Sequence, residues 1–371
     1  MMDADLPRSD VLAGVKVLEL AAIGPVPWGV HALVRMGAHV TRIQRPDMQN
    51  SAVKDSEKLS EVGRHDVFLD LKSPEGHAQV CELIKNHDVL VEGMRPGVME
   101  RLGLAPALCH DLNPKLVYAR VTGWGQDGPL AMRAGHDINY IALSGALHAI
   151  GPKDGPPSIP LNIIGDYGGG GAFMVIGILG ALLKASMTGK GSVIDVAMLD
   201  GASHLMALHY ERLSRGEWAD ERGMNKLDGG VPWYSVYQTQ CGGYMAVGAI
   251  EPQFYSLFIK GLGLDEATLL DRNDNNNWGP LRSLFTDRFS SRTRDEWTKI
   301  FEPIDACVSP VLSMAEAPEH PHNQSRQVFF KKDNGRRLYL NNAPRFAALE
   351  GAAYQDKSPA QYPASPPSAT R

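Results

Sequence analysis

His136 and Asp166 are the two side chains of this sequence best suited to moving protons near neutral pH. His136 lies in the motif Gly-His-Asp-Ile-Asn-Tyr at residues 135–140, and Asp166 lies in Gly-Asp-Tyr at residues 165–167. A histidine and a carboxylate are common general acids and bases in enzymes. Both motifs have the composition of loops, where catalytic residues concentrate. The pair therefore predicts proton-transfer chemistry.

Both residues also have a purely structural interpretation. His136 is one of twelve histidines, most of which we expect to be structural or on the surface. A glycine-rich segment at residues 122–129 follows a predicted strand, which favours a ligand-binding loop at the carboxyl end of a parallel sheet. Asp166 could simply be the N-cap of the apolar helix that follows it.

Four consecutive glycines at residues 168–171 follow Asp166. Such a run costs backbone entropy at the start of a helix. We interpret it as allowing a ligand to approach the backbone closely. Free N–H groups at the N-terminus of that helix would then stabilise an oxyanion.

A second carboxylate and five cations complete the candidates. Glu251 precedes Pro252 at a predicted strand-to-helix turn, where a glutamate ordinarily interacts with the helix dipole. The cations lie at or near the ends of early predicted strands, where they could together hold phosphate groups. These cations are Arg42, Arg45, Arg64, Lys72 and Arg95.

The elements that must position these residues alternate between strand and helix in the first half of the chain. We predict strands at residues 15–20, 38–43, 67–71, 88–92, 116–121 and 192–198, and helices to about residue 36, from 74 to about 86 and from 199 to about 213. Strands separated by helices predict an α/β fold with a mostly parallel sheet. We assign residues 1–215 to this large domain, with residues 325–371 returning to it. Residues 216–232 are a linker, and residues 233–324 are a smaller α+β domain.

Composition excludes several classes of function. The 371 residues are 43% hydrophobic and 21% charged with a net charge of −5, so we expect no nucleic-acid partner. The N-terminal residues are acidic and polar, which predicts no signal peptide, and the four cysteines are widely spaced, which predicts a cytoplasmic protein. The apolar run at residues 172–183 is too short to span a membrane. His320 and His322 lack a third ligand, so we expect no metal site.

Several motifs together resemble the α-methylacyl-CoA racemase branch of the class III (formyl-CoA transferase-like) CoA-transferase superfamily. The resemblance extends from about residue 12 to residue 312. Its markers are Gln-Arg-Pro at 44–46, Leu-Asp-Leu-Lys at 69–72, Glu-Gly-Met-Arg-Pro-Gly at 92–97, and the two motifs around His136 and Asp166.

This resemblance implies roles for individual residues. His136 and Asp166 match the catalytic pair, and Glu251 matches a glutamate that supports the histidine. The positions implied to contact the CoA ester are Arg45, Leu69, Asp70, Leu71, Lys72, Arg95, Gly135, Asp137, Ile138, Asn139 and Tyr140, and we add Arg42 and Arg64 as phosphate ligands. The implied fold is a large Rossmann-like domain and a small domain, in a homodimer whose two chains interlock. The active site then lies between the large domain of one chain and the small domain of the other.

The resemblance implies racemisation of a 2-methylacyl-CoA thioester through an enolate, without a metal or redox cofactor. The alternative is a class III CoA-transferase, in which Asp166 is the nucleophile. His136 favours the racemase, because transferases generally lack a histidine there. One departure concerns residues 61–66, Glu-Val-Gly-Arg-His-Asp, where relatives have a more cationic Gly-Arg-Gly-Lys-Arg-Ser-like run. Fewer cations there weaken the expected hold on the CoA phosphates.

Overall fold

A six-stranded parallel sheet forms the centre of the larger part of the molecule. The computed structural model describes residues 8–49, 63–332 and 337–346. The sheet has the order β3-β2-β1-β4-β5-β6, and its neighbouring strands are all parallel. Its strands are β1 (Lys16–Leu20), β2 (His39–Gln44), β3 (Arg64–Phe68), β4 (Val89–Glu92), β5 (Val117–Thr122) and β6 (Ser192–Ala197). This order confirms the predicted α/β fold with a Rossmann-like sheet.

Helices cover both faces of this sheet. They are α1 (Pro25–Arg35), α2 (Pro74–Lys85), α3 (Val98–Arg101), α4 (Pro106–Leu112), α5 (Asp137–Leu143), α6 (Ala146–Ala149), α7 (Phe173–Thr188), α8 (Met198–Leu205) and α9 (Ala207–Ser214). Alternate residues of the central strands enter two separate cores, because successive side chains of a strand point to opposite faces. Val17 of β1 packs on the α1 and α7 side, whereas Leu18 packs on the α2 side.

Most predicted elements are present, with small shifts in their bounds. Ser73 caps α2, since its hydroxyl accepts a hydrogen bond of 3.0 Å from the N–H of Gly76. The predicted strand at 67–71 instead spans Arg64–Phe68 and pairs with β2. The predicted helix from 199 to about 213 is divided at Met206 into α8 and α9.

A second, smaller unit is built on an antiparallel sheet. Its strands are β7 (Tyr234–Gln238), β8 (Tyr244–Gly248) and β9 (Val308–Pro310). Helices α10 (Pro252–Gly261), α11 (Trp278–Ser290), α12 (Arg294–Phe301) and α13 (Pro321–Ser325) accompany it. Its core is rich in aromatic side chains, including Phe258, Phe285 and Phe289.

The last described strands, β10 (Phe329–Lys332) and β11 (Arg337–Leu340), form a hairpin beside the larger unit. The Arg35 guanidinium of α1 donates a hydrogen bond of 3.1 Å to the carbonyl of Leu340.

Short 3-10 turns occur at Pro46–Met48, Glu266–Thr268, Asn275–Asn277 and Ala317–Glu319. The domain boundaries given above stay a prediction.

The apolar run after Asp166 belongs to a longer helix than we predicted. A π-helical segment, Ile163–Ala172, leads without a break into α7. The combined helix Ile163–Thr188 has 26 residues, which is long and apolar enough to cross a membrane by length and composition alone. Only 39% of its most apolar stretch is buried within this chain. We expected this apolar run to be too short to span a membrane. That expectation is wrong, because the π-helical segment lengthens the helix to 26 residues.

Candidate active site

A cavity of about 540 Å³ lies beyond the carboxyl ends of β1, β4 and β5. Its walls come from the segments that follow these strands, at residues 21–26, 93–96 and 121–124. In the sheet, β2 lies on one side of β1 and β4 lies on the other side, so the strand order reverses between β1 and β4. The cavity lies at this reversal, which is where doubly wound sheets bind ligands. His136 and Asp166 both line this cavity. The fold thus brings together two residues that are thirty positions apart in the sequence.

His136 is held at the start of a helix by its own motif. It is the N-cap of α5, with extended backbone angles. The Asn139 side chain accepts a hydrogen bond of 3.0 Å from the His136 N–H. This contact orients the backbone of His136 while its side chain remains exposed. Asn139, which the resemblance implied as a CoA contact, therefore also has a structural function.

Tyr140 fixes the residue before the histidine. Its hydroxyl donates a short hydrogen bond to the carbonyl of Gly135, and its ring meets Trp124 edge to face at 4.8 Å. Burial, together with the nearby carboxylates of Asp166 and Asp137, raises the pKa of Tyr140 to about 12. The phenol therefore stays protonated and remains a hydrogen-bond donor at neutral pH.

Asp166 is positioned through the buried carboxylate of Asp137. Asp137 is 6% exposed, and its Oδ2 atom accepts hydrogen bonds from the N–H groups of Gly165 at 2.7 Å and Asp166 at 2.8 Å. The carboxylate therefore faces the main chain rather than the substrate space, which corrects the substrate contact predicted for Asp137. Because Asp137 directly follows His136, the two motifs are linked by these bonds.

Asn162 is a site residue that the sequence analysis missed. Its amide donates a hydrogen bond of 3.2 Å to Oδ2 of Asp166. The two residues are four apart on the π-helical stretch, where side chains at this spacing can meet. An asparagine four positions before a candidate catalytic aspartate was the available signal. The loop after β1 also approaches Asp166, since a Cβ atom on Gly24 would lie 3.4 Å from the same oxygen.

The glycine run after Asp166 allows close helix packing. A Cβ atom on Gly169 would lie 2.7 Å from main-chain atoms of α8, and one on Gly171 would lie 2.5 Å from the Trp28 ring of α1. The N–H groups of Gly165 and Asp166 are already bonded to Asp137. We expected these glycines to let a ligand approach the backbone, and we expected free N–H groups there to stabilise an oxyanion. Both expectations are therefore wrong at this end of the helix.

A second groove, of about 1010 Å³, adjoins the cavity. The two spaces share Met94 and residues 21–23. The groove brings together six of the residues expected to contact CoA or its phosphates, which come from β2 and from the segments after β2 and β3. They are Arg42, Arg45, Leu69, Asp70, Leu71 and Lys72.

Arg64 does not belong to this group. Its guanidinium is fully buried and donates hydrogen bonds to Glu19 at 2.5 Å and to the carbonyl of Pro27 at 2.8 Å. An internal ion pair of this kind leaves no side-chain surface for a bound phosphate. Our assignment of Arg64 as a phosphate ligand is therefore wrong, because its charge is used to balance Glu19 within the sheet.

Arg95 lies on the wall of the cavity that contains His136 and Asp166 rather than in the groove. A buried network supports its loop, in which Glu92 accepts hydrogen bonds from Met94 N–H at 2.7 Å and from Arg120 at 2.9 Å. Arg133 lines the same cavity and was not predicted. Two cations therefore face the space that holds His136 and Asp166. Ile138, the second residue of α5, is 39% exposed and is not a cavity residue.

Glu251 is not among the residues that line this cavity. It is the exposed N-cap of α10 in the smaller unit, beside Cys307, whose pKa is raised by burial and by the charges of Asp305 and Glu251. Within one chain, the structure therefore does not join Glu251 to the other two predicted catalytic residues.

Comparison with known proteins identifies the group to which these features belong. The family model of CoA-transferase family III matches residues 12–364. The chain is 43% identical to human alpha-methylacyl-CoA racemase over 87% of this chain and 83% of the relative. It is 29% identical to acetyl-CoA:oxalate CoA-transferase of Acetobacter aceti, over 86% of this chain and 85% of the relative. A solved CAIB/BAIF family protein from Brucella suis is 26% identical, with a TM-score of 0.74 over 90% of this chain and 92% of its own.

Proposed function

The chain belongs to CoA-transferase family III, and from this premise we propose that it interconverts (2R)- and (2S)-2-methylacyl-CoA thioesters. The observation that carries the proposal is the shared cavity of His136 and Asp166, which continues into a groove of about 1010 Å³. The 43% identity to a protein named racemase supports it further.

The proposed chemistry is a proton transfer at the carbon next to the thioester carbonyl. Neutral His136 removes the α-proton from one face, and the electron pair of the C–H bond moves into the enolate. Asp166, in its protonated form, then returns a proton to the opposite face. For the other enantiomer the Asp166 carboxylate removes the proton and the imidazolium of His136 returns one. No metal or redox cofactor takes part in this scheme.

The enolate oxygen requires hydrogen-bond donors, each worth roughly 3–4 kcal/mol in comparable oxyanion sites. The first N–H groups of the Asp166 segment are occupied by Asp137. The segments after β1 and β5 line the cavity, and we propose that donors for the enolate oxygen come from them. Asn162, by donating to Asp166, holds the carboxylate group in place.

We also propose that the functional unit is a homodimer in which Glu251 of one chain supports His136 of the other. Two observations support this. Glu251 lies outside the cavity of its own chain. Large apolar side chains are exposed along Ile163–Thr188, including Ile176 at 62%, Leu183 at 62% and Met187 at 77%. A second copy would remove them from water, whereas exposed patches of this kind are rare on monomers.

We also propose a cytoplasmic protein with no membrane or nucleic-acid partner.

The competing function is CoA transfer with Asp166 as nucleophile, as the name of the Acetobacter aceti relative suggests for that protein. The two reactions differ in their co-substrate. The protein should be incubated with one enantiomer of a 2-methylacyl-CoA in deuterated water, with and without an added carboxylic acid. We expect α-deuterium incorporation and loss of optical purity without the acid. CoA exchange that depends on the acid, with no α-deuterium, would overturn the proposal.

A further inference from the structure

Two of the three cations on the wall of the groove are paired with carboxylates of the protein. Arg42, Arg45 and Lys72 lie on its wall. Arg42 pairs with Asp66 at 2.7 Å, and Arg45 pairs with Asp47 at 3.2 Å. The side chain of Asp70 accepts a hydrogen bond of 3.0 Å from the main-chain N–H of Lys72, a contact that does not involve the ammonium group of Lys72. Two of these three cations thus form ion pairs with protein carboxylates, which lowers the positive charge offered to a bound phosphate.

The Arg42–Asp66 pair is the better formed of the two. These residues are directly opposite each other on β2 and β3. The guanidinium donates through Nε at 2.7 Å and Nη2 at 3.0 Å to the two carboxylate oxygens, and the Arg42 side chain is only 8% exposed. Arg45 and Asp47 are instead 77% and 65% exposed, so their pair is weak and opens readily.

The geometry of Arg42 and Asp66 mimics that of a bound phosphate. A guanidinium binds carboxylate and phosphate oxygens through the same parallel pair of N–H donors. Although partial burial opposes it, hydrogen bonds from Arg42 and Gln44 keep the pKa of Asp66 below its usual range. The carboxylate is therefore charged at neutral pH and competes with any phosphate for these donors.

The position of the pair indicates which phosphate is affected. In doubly wound folds, the end of the second strand reaches the ribose of a bound adenosine nucleotide. Arg42 lies in β2, close to its carboxyl end. In CoA, the group attached to this ribose is the 3′-phosphate.

We propose that Asp66 determines nucleotide specificity by occupying Arg42, so that this enzyme discriminates little between thioesters of CoA and of 3′-dephospho-CoA. The inference rests on the proposed function in one respect, which is that CoA carries the acyl group of the substrate. It assigns to Asp66 a function that differs from catalysis, because Asp66 lies outside the cavity of His136 and Asp166.

The direct test is calorimetric binding of free CoA and free 3′-dephospho-CoA to the full-length protein. We expect the wild-type dissociation constants to agree within about threefold, whereas Asp66→Asn and Asp66→Ala should bind CoA at least about tenfold more tightly than dephospho-CoA. The variants should also show a steeper loss of CoA affinity with salt. Asp111→Asn, which removes an equal charge from the exposed surface of α4, should behave as the wild type.

A wild-type preference for CoA above about tenfold would overturn the inference, as would variants whose ratio matches the wild type. The wild-type ratio decides the question even if both variants fail to fold. Racemisation of the two thioesters separates this inference from the proposed function. If neither thioester exchanges its α-proton, the proposed function fails; if both exchange but CoA is strongly preferred, only the specificity inference fails.

Discussion

The catalytic cavity and the adjoining groove use different bonds to place their polar side chains. In the cavity, the motif residues are held by bonds to main-chain groups: Asn139 to His136, Tyr140 to Gly135, and Asp137 to residues 165–166. In the groove, Arg42 is held by a carboxylate from the neighbouring strand. The contacts of the first region position groups without neutralising them, whereas the second region pairs its two arginines with carboxylates.

The difference separates two demands on a binding site. Proton transfer requires geometry to be kept within a fraction of an ångström, and main-chain contacts provide this without changing the charge of the reacting groups. Holding a nucleotide requires only net attraction, which each ion pair with a protein carboxylate reduces. We therefore expect substitutions in the cavity to change kcat and substitutions in the groove to change KM.

The largest expected effect follows from removing either proton-transfer group. Asp166→Asn and His136→Ala should each lower kcat for racemisation by roughly 10²–10⁴-fold, the usual contribution of a general acid or base. α-Proton exchange in deuterated water measures the loss. Circular dichroism and sedimentation should match the wild type, and full activity in either correctly folded variant would contradict the assigned role.

A smaller loss is expected when the cavity geometry is loosened. Asp137→Ala removes the acceptor for two main-chain N–H groups and lets the Asp166 segment shift, which should lower kcat by about 10²-fold with little change in KM. Asp137→Asn retains an acceptor oxygen and should recover part of this loss. If KM rose while kcat stayed constant, Asp137 would instead be a substrate ligand.

The groove can be contrasted with the interior of the sheet through a pair of arginines, Arg45 and Arg64. Arg64→Met leaves Glu19 buried without a partner, which should lower the free energy of unfolding by about 3–5 kcal/mol. At a permissive temperature, its KM should remain within about threefold of the wild type. Arg45→Met should do the opposite, raising KM with little change in chemical denaturation. A rise in KM for Arg64→Met at unchanged stability would restore Arg64 as a phosphate ligand.

The smallest effect concerns pH. Since the folded pKa of Tyr140 is about 12, above its ordinary value near 10, the folded state binds its proton more tightly. This contribution to stability is complete below pH 10 and is lost as pH rises toward 12. Tyr140→Phe should therefore show a shallower fall in unfolding free energy between pH 10 and 12. An identical slope in both proteins would show that Tyr140 titrates normally.

The sequence was sufficient for the alternating elements and for the residue types of the site. Strand β1, the N-cap Ser73 and helix α10 could be located because hydrophobic runs, proline and capping residues act over a few positions. His136 and Asp166 were recognisable because few side chains can exchange protons near neutral pH. The glycine run was misread, because packing against α1 and α8 cannot be seen in a local pattern.

Residue type and spacing alone therefore determined which groups can carry protons and which segments form strands. The partner of each charge was decided only when distant segments met. Arg42 and Arg64 look alike in the chain, yet strand pairing places one beside Asp66 at a groove and buries the other against Glu19. The physical reason is that an ion pair depends on distance and burial, and both are properties of the folded sheet.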